Sequence, residues 1–315
     1  MTRILRVGGA QMGAIQKVDS REAVVERMLA LMDRALAEGC DLVVYPELTL
    51  TTFFPRWYPD DEAEMDRWFE RTMPNNATRP LFDKAKAAGL GLCLGYAEHT
   101  EEDGVAHRYN TAILVDKAGE IVGKYRKVHL PGHAEFDPAR KWQHLEKLYF
   151  EPGDLGFPVW RTLGGNLGLC ICNDRRWPET YRVMGLQDVE LVLLGYNTPT
   201  GNSLSDDESP ELRMFHNHMS MQAGAYQNGT WVVGVAKCGD EDGHALMAGS
   251  VIVSPDGVIV AEAKTADDEL IVADCDLDLC RFNKETIFDF AAHRRPEHYR
   301  LIVERTGAEP PEGAD

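Results

Sequence analysis

Asp41-Leu42-Val43-Val44-Tyr45-Pro46-Glu47 is an apolar, β-branched run of strand length that stops at a proline and leaves a carboxylate at its end. What precedes it has a helical period. Over residues 19–38, Val25, Met28, Leu29, Met32 and Leu36 fall on one face, Asp19 with Glu22 supplies a capping box, and Gly39 supplies a stop. Further upstream, residues 4–11 read as a buried strand. Downstream, a second helix covers residues 79–88, Gly89 ends it, and residues 92–97 form the next strand. Strands separated by helices predict an α/β class with at least one helix-covered sheet.

Two hairpins interrupt this alternation. Thr111-Ala112-Ile113-Leu114-Val115-Asp116-Lys117-Ala118-Gly119-Glu120-Ile121-Val122 is echoed by Ser250-Val251-Ile252-Val253-Ser254-Pro255-Asp256-Gly257-Val258-Ile259-Val260. In each, a β-branched run meets a glycine-containing turn and returns, which suggests two similar α/β layers packed face to face. Residues 127–158 are rich in His, Pro, Gly and aromatics without a sustained period, the texture of a functional loop. Residues 197–210 form a second polar loop, expected to be mobile. Residues 305–315 read as a disordered acidic tail behind a single domain over residues 1–304.

The chain has 315 residues, 44% hydrophobic and 27% charged, enough apolar material for a large core. A formal charge of −18 spread along the sequence opposes a phosphate backbone and argues against nucleic acid as a partner. Seven cysteines without regular spacing do not make a disulfide framework. No run reaches the ~18 apolar residues that cross a bilayer, and the first eight residues lack the apolar h-region of a signal peptide. The expectation is a soluble cytoplasmic protein that does not engage a membrane.

The chemistry gathers around Cys172. Asn166-Leu167-Gly168-Leu169-Cys170-Ile171-Cys172 delivers a thiol into Asn173-Asp174-Arg175-Arg176-Trp177-Pro178-Glu179, a turn with two guanidiniums before a proline-started helix. A cysteine attacks carbonyl carbon as thiolate, and only a few per cent of an unperturbed thiol is ionised near pH 7, so a base is required. Glu47, at an apolar strand's end, is placed to accept and return that proton. In Gly123-Lys124-Tyr125-Arg126-Lys127-Val128-His129, alternation puts Tyr125 and Lys127 on one face and Lys124 and Arg126 on the other. One lysine can therefore point inward at an oxyanion. A guanidinium of Arg175 or Arg176 can grip a substrate carboxylate through two parallel hydrogen bonds. Neighbours point differently, so one clamps while the other supports it or pairs with Asp174 or Glu179.

Glu47, Lys127 and Cys172, with the residues around them, resemble the carbon-nitrogen hydrolases of the nitrilase superfamily. Within it, residues 51–57, 129–133, 143–147, 173–179, 197–200 and 221–229 are similar to the N-carbamoyl-D-amino acid amidohydrolases. The resemblance implies a four-layer αββα sandwich, no metal or organic cofactor, and a homodimer or homotetramer in which residues 288–304 meet another subunit. It also implies Cys172 as nucleophile, Glu47 as general base and acid, and Lys127 as oxyanion stabiliser with the Asn173 N–H as second donor. Glu146 would orient the lysine and the substrate nitrogen, and His129 and His144 would line the pocket. Arg175 and Arg176 would lie near the substrate carboxylate, and Asn197 and Thr198 would complete the carboxylate or ureido contacts.

The expected reaction is hydrolysis of N-carbamoyl-D-amino acids to D-amino acid, carbon dioxide and ammonia, with D-selectivity coming from the resemblance alone. The alternative is a β-ureidopropionase, aliphatic amidase or nitrilase. A thiol redox or binding protein using Cys170 and Cys172 is the alternative of another class.

Other patterns fail on their own chemistry. Asp274, Asp276, Asp278 and Glu285 imitate a calcium loop, but Leu279 stands where its sharp turn requires glycine. Pro131 and Gly132 forbid the helix that would align His129 and His133 on zinc. His216 and His218 project apart on a helix. Cys170, Met214, Met219 and Met221 read as core.

Overall fold

The computed structural model describes residues 2–201, 208–311 and 313. Its first half runs β1 (Ile4–Gln11), α1 (Arg21–Ala37), β2 (Leu42–Val44), α2 (Glu62–Asp66), α3 (Arg79–Ala88), β3 (Gly91–Glu102), β4 (Val105–Val115) and β5 (Ile121–Arg126). The second half runs α4 (Glu146–Tyr149), β6 (Val159–Thr162), β7 (Gly165–Ile171), α5 (Pro178–Gly185), β8 (Leu191–Tyr196), α6 (Pro210–Asn228) and β9 (Trp231–Ala236). It continues with β10 (Gly239–Glu241), β11 (His244–Leu246), β12 (Val251–Val253), β13 (Ile259–Glu262), β14 (Glu269–Asp276), α7 (Leu279–Glu285), α8 (Phe290–His293) and α9 (Arg300–Glu304).

Among the described residues, one six-stranded sheet has the order β14-β1-β2-β3-β4-β5 and another the order β13-β12-β9-β8-β7-β6. β1, β2 and β3 are parallel neighbours from which β4 and β5 return antiparallel. β7, β8, β9, β12 and β13 repeat that arrangement. Each sheet is extended beside its first parallel strand by one antiparallel strand, β14 on β1 and β6 on β7. Both hairpins also carry a register shift, at Leu114/Val115 and at Ile252/Val253. The echo between the two hairpin sequences is therefore a repeat of topology.

Alternation of side chains across the strands sets the layers. Leu42 and Val44 of β2 turn to a core shared with Val7, Cys93 and Leu114 and, from the other sheet, Leu167, Leu169 and Leu193. Val43 and Tyr45 turn the other way, against Met28, Met32 and Leu81 of α1 and α3. Tyr181, Met184, Met221 and Ala225 of α5 and α6 pack on the second sheet. The result is the expected αββα sandwich, with two mixed sheets face to face and helices outside.

Some local expectations differ. α1 is capped by Ser20, whose hydroxyl accepts from the Ala23 N–H; Asp19 instead accepts from the Gln16 N–H in the preceding turn. β3 runs on to Glu102 because it pairs with β4 beyond the apolar part of the strand. Of the three methionines assigned to the core, only Met221 is fully buried, and Met219 is 45% exposed. Residues 305–311 are exposed and carry no helix or strand. The loop expected to be mobile falls largely on residues 202–207, outside the described residues, as do residues 312, 314 and 315 of the tail. No helix among the described residues is long and apolar enough to cross a membrane.

Candidate active site

The segment after β2 is threaded between the two sheets. Tyr45 N–H donates to the Cys93 carbonyl at 2.8 Å and Thr49 N–H to the Gly95 carbonyl at 2.9 Å. The backbone of Pro46 and Glu47 passes so close to the strands that a Cβ on Gly95 would lie 2.9 Å from Glu47 Cα. A Cβ on Gly195 would lie 2.6 Å from the Pro46 carbonyl carbon. Glycine at both positions opens the slot. Within it Glu47 is fully buried. Its Oε1 accepts from Asn110 Nδ2 at 2.7 Å and Lys127 Nζ at 2.8 Å, and its Oε2 from the Asn197 N–H at 2.8 Å.

Lys127 follows β5 directly, on the inward face with Tyr125, while Lys124 and Arg126 turn outward to Glu98. Its Nζ also donates to Glu146 Oε2 at 2.6 Å, and His144 Nε2 stands 2.9 Å from Glu146 Oε1. Burial alone would lower the Lys127 ammonium, but Cys172, Glu146 and Glu47 outweigh it and hold the group well above its ordinary value. Burial would likewise raise Glu146, but Lys127 and His144 hold it below the usual carboxylate range. One ammonium between two carboxylates leaves the cluster net negative.

Cys172 opens a 3-10 turn, Cys172–Arg176, with φ of +49°, the left-handed region that a non-glycine residue occupies at a cost of about 1–3 kcal/mol. That strain turns the sulfur out of the strand and toward the Asn197 carbonyl oxygen, 3.6 Å away. Burial first, then Glu47, push the thiol above its ordinary value, while Lys127 and Arg175 pull it down. Asp174, whose part the sequence reading missed, ties this turn to the lysine strand. Its Oδ2 accepts from Tyr125 OH at 2.7 Å and the Ile171 N–H at 3.0 Å, and its Oδ1 from the His129 N–H at 2.9 Å.

Cys172 lines a cavity of about 340 Å³ together with Asn197, Thr198, His144 and Arg176. Trp142 and Arg140 from the loop after β5, Glu208, and Arg213 and His216 from α6 also line it. Spacing of three residues on a helix puts Arg213 and His216 on one face, the signal that could have found them.

Glu47, Lys127 and Glu146 form the buried cluster and do not themselves line this cavity, and three further expected site residues lie elsewhere. Arg175 is 1% exposed and does not line the cavity. Its Nη1 donates to the Cys172 carbonyl at 2.6 Å and its Nη2 to Thr198 Oγ1 at 3.0 Å, and its guanidinium lies over the Tyr196 ring at 4.5 Å. It pairs with neither Asp174 nor Glu179: its Nη atoms go to the Cys172 carbonyl and Thr198, and its Nε is buried without a hydrogen-bond partner among the described residues. His129 is also displaced from the cavity, with Nδ1 2.8 Å from Asp174 Oδ1 and its ring stacked on Trp177 and Phe157. β5 ends at Arg126, so the alternation that aims Lys127 inward no longer governs His129. The Asn173 side chain follows it, donating to the His129 carbonyl at 3.1 Å. Cys170 is fully buried, on the β7 face that it shares with Gly168 and that turns to α5.

The family pattern described as carbon-nitrogen hydrolase matches residues 6–285. The N-carbamoylputrescine amidase of Arabidopsis thaliana is 29% identical over 312 residues, 96% of each chain. The citrullinase of Francisella tularensis subsp. tularensis is 32% identical over 281 residues, 86% of this chain and 90% of that one. Among solved structures, a carbon-nitrogen hydrolase from Helicobacter pylori G27 shares the fold with a TM-score of 0.80 at 24% identity, over 96% of this chain and 99% of that one. An amidase from Nesterenkonia sp. AN1, whose active-site cysteine carries the acetamide moiety of fluoroacetamide, aligns with a TM-score of 0.68 at 25% identity over 94% and 95%. A pattern match across both sheets, with relatives aligned over most of their own length, establishes that this chain belongs to the carbon-nitrogen hydrolase family, enzymes of the nitrilase superfamily that act on amide or carbamoyl groups.

Proposed function

We propose that this enzyme hydrolyses N-carbamoyl-D-amino acids to the D-amino acid, carbon dioxide and ammonia. The observation that carries the reading is the presence of Arg176 in the same cavity as Cys172. Repulsion from Arg175, then desolvation, pushes the Arg176 guanidinium, which still reaches solvent, down to about 10, so it remains a cation at neutrality and a bound carboxylate relieves its crowding. Arg140 adds to the positive lining, while Arg213 and His216 face the Glu208 carboxylate at 3.3 and 2.6 Å. Carbamoylputrescine, named for one relative, is a carbamoylated diamine and would bring an ammonium toward these guanidiniums, a like-charge penalty. The D-hand follows the sequence resemblance.

In this reading Glu47 takes the thiol proton, Cys172 adds to the ureido carbonyl, and Lys127 with the Asn173 N–H holds the oxyanion. Glu47 then protonates the departing nitrogen, a water activated by the same carboxylate cleaves the thioester-like intermediate to free the thiol, and the carbamic acid released breaks down to carbon dioxide and the remaining amine. Glu146 and His144 keep Lys127 oriented, Asn197 and Thr198 contact the substrate's polar groups, and Arg175 supports the turn from behind. The same reading carries a homo-oligomer, and seven unpaired thiols favour a reducing, cytoplasmic setting.

A substrate panel of both N-carbamoyl amino acid enantiomers, β-ureidopropionate, N-carbamoylputrescine and simple amides tests it. The D-carbamoyl acids are expected to show the highest kcat/KM; a preference for the cationic or neutral compounds overturns the reading. Cys172→Ala is expected to lower kcat by at least about a thousandfold with the fold intact. Arg176→Ala is expected to raise KM for carboxylate substrates roughly tenfold or more while leaving simple amides unchanged. Equal effects on both classes remove the clamp.

A further inference from the structure

Both carboxylates that grip Lys127 hang from one loop, residues 45–57. Glu47 belongs to it. Glu146 is tied to it twice: the Leu145 N–H donates to the Pro55 carbonyl at 2.6 Å, and Phe53 packs edge-on at 5.5 Å against His144, the ring that bonds Glu146. Displacing this loop would therefore move both of the lysine's partners at once.

The loop is held from outside the cavity by Glu241 at the end of β10. Glu241 Oε2 accepts from the Phe53 N–H at 2.7 Å and from Thr52 Oγ1 at 3.3 Å. Its Oε1 accepts from the Ile15 N–H at 3.2 Å and lies 2.8 Å from Lys237 Nζ. Lys237 Nζ in turn donates to the Thr51 carbonyl at 2.6 Å. Arg56 Nη2 approaches Glu241 at 3.6 Å, and Arg56 Nη1 donates to the Glu241 and His244 carbonyls, each at 3.2 Å. Lys237 and Glu241 are fully buried, and neither lines the cavity that holds Cys172.

A buried ion pair stabilises a fold no better than well-packed apolar side chains of the same volume, so stability alone does not account for one here. What charged groups supply is direction, because each hydrogen bond fixes the atom at its other end. These bonds end on consecutive residues, Thr51, Thr52 and Phe53, between the two points from which the carboxylates are suspended.

We propose that Glu241 and Lys237 are positioning residues for the reaction, fixing the loop of residues 45–57 so that Glu47 and Glu146 hold Lys127 in place beside Cys172. The proposal rests on the reading of Glu47, Lys127 and Cys172 as the reacting groups. It is tested on the full-length enzyme with whichever carbamoyl or amide substrate the wild type turns over, by measuring kcat, KM and thermal unfolding of Glu241→Gln, Lys237→Met and Thr52→Val. Glu241→Gln and Lys237→Met are expected to lower kcat roughly ten- to hundredfold. KM should stay within about threefold of wild type, since Arg176 is carried by the separate turn that begins at Cys172. Thr52→Val removes one bond, and a drop in kcat of about threefold at unchanged KM is expected of it. It carries the test if the two charge variants do not fold. Folded variants that melt earlier but keep wild-type kcat overturn the proposal. If Cys172→Ala is inactive while all three variants turn over normally, this inference fails alone; an active Cys172→Ala removes the site reading beneath it.

Discussion

Gly195 and Gly95 act on the site without touching any substrate. Their missing side chains admit the backbone of Pro46 and Glu47 between the sheets, and the clash a Cβ would create is with backbone, which cannot rotate away. Gly195→Ala is therefore expected to push Glu47 away from Lys127 and Cys172 and lower kcat by roughly a hundredfold. Circular dichroism should show the fold retained; wild-type kcat in a folded Gly195→Ala would mean that the Glu47 loop tolerates displacement. Nothing in the sequence marks these glycines, because their neighbours in space are remote along the chain. The same applies to Arg175 and Arg176. Spacing shows that adjacent residues diverge, but only the phase of the 3-10 turn decides which guanidinium meets the Cys172 carbonyl and which the cavity. Asp174 is legible as a carboxylate close to the nucleophile, yet its bonds to Tyr125 and His129 depend on where β5 ends.

At the scale of elements, β5 aims Lys127 inward by presenting its alternate residues outward to a fixed partner. Glu98 of β3 accepts from Arg126 Nε at 2.9 Å, from Thr111 of β4 at 2.8 Å, and from Lys124, a cross-strand clamp over three neighbouring strands. Burial would raise the Glu98 carboxyl, but Arg126, then Lys124 and Thr111, outweigh it and hold it below its usual 4.5. A depressed carboxyl adds stability that is fully present above its unfolded value and fades as the pH falls through its folded value. Glu98→Gln is therefore expected to cost about 3–5 kcal/mol of unfolding free energy at neutral pH, the range for breaking one partner of a buried pair. The gap from wild type should close as the pH drops below 4.5, and denaturant titrations at neutral and acid pH measure it. A gap of constant size would show that Glu98 acts through packing instead of charge. The period-2 pattern made this facing readable before any coordinates. What it did not reveal is extent: β3 continues past its apolar residues because pairing with β4 sustains it, and α1 starts after Ser20 because an extended backbone there suits the cap.

For the whole molecule, the layered α/β class followed from alternation and was readable, whereas the repeat of topology was visible only in the two hairpins. The antiparallel additions β14 and β6 are joined to the repeat from different places in the chain, and no periodicity records that. The remaining signal at this scale is on the surface. Large apolar side chains left in water gather on α5, α6 and the segment after β14, among them Val183, Leu186, Phe215 at 59% exposure and Val303 at 85%. Single exposed apolar residues are ordinary, but such a concentration on neighbouring elements is what an interaction surface is expected to show. α6 also presents Arg213 and His216 to the cavity, so a partner covering its outer face would brace the cavity lining. Light scattering is expected to find a mass at least twice the 35.2 kDa of one chain. Phe215→Glu, which places a charge in that face, should shift the population toward single chains. If the partner braces α6, these single chains will bind a carboxylate substrate with KM raised more than kcat is lowered, because the lining moves while Glu47, Lys127 and Cys172 stay on the sheets. A wild type that scatters as one chain at working concentration rules out the association, and a Phe215→Glu monomer with unchanged KM separates it from the site.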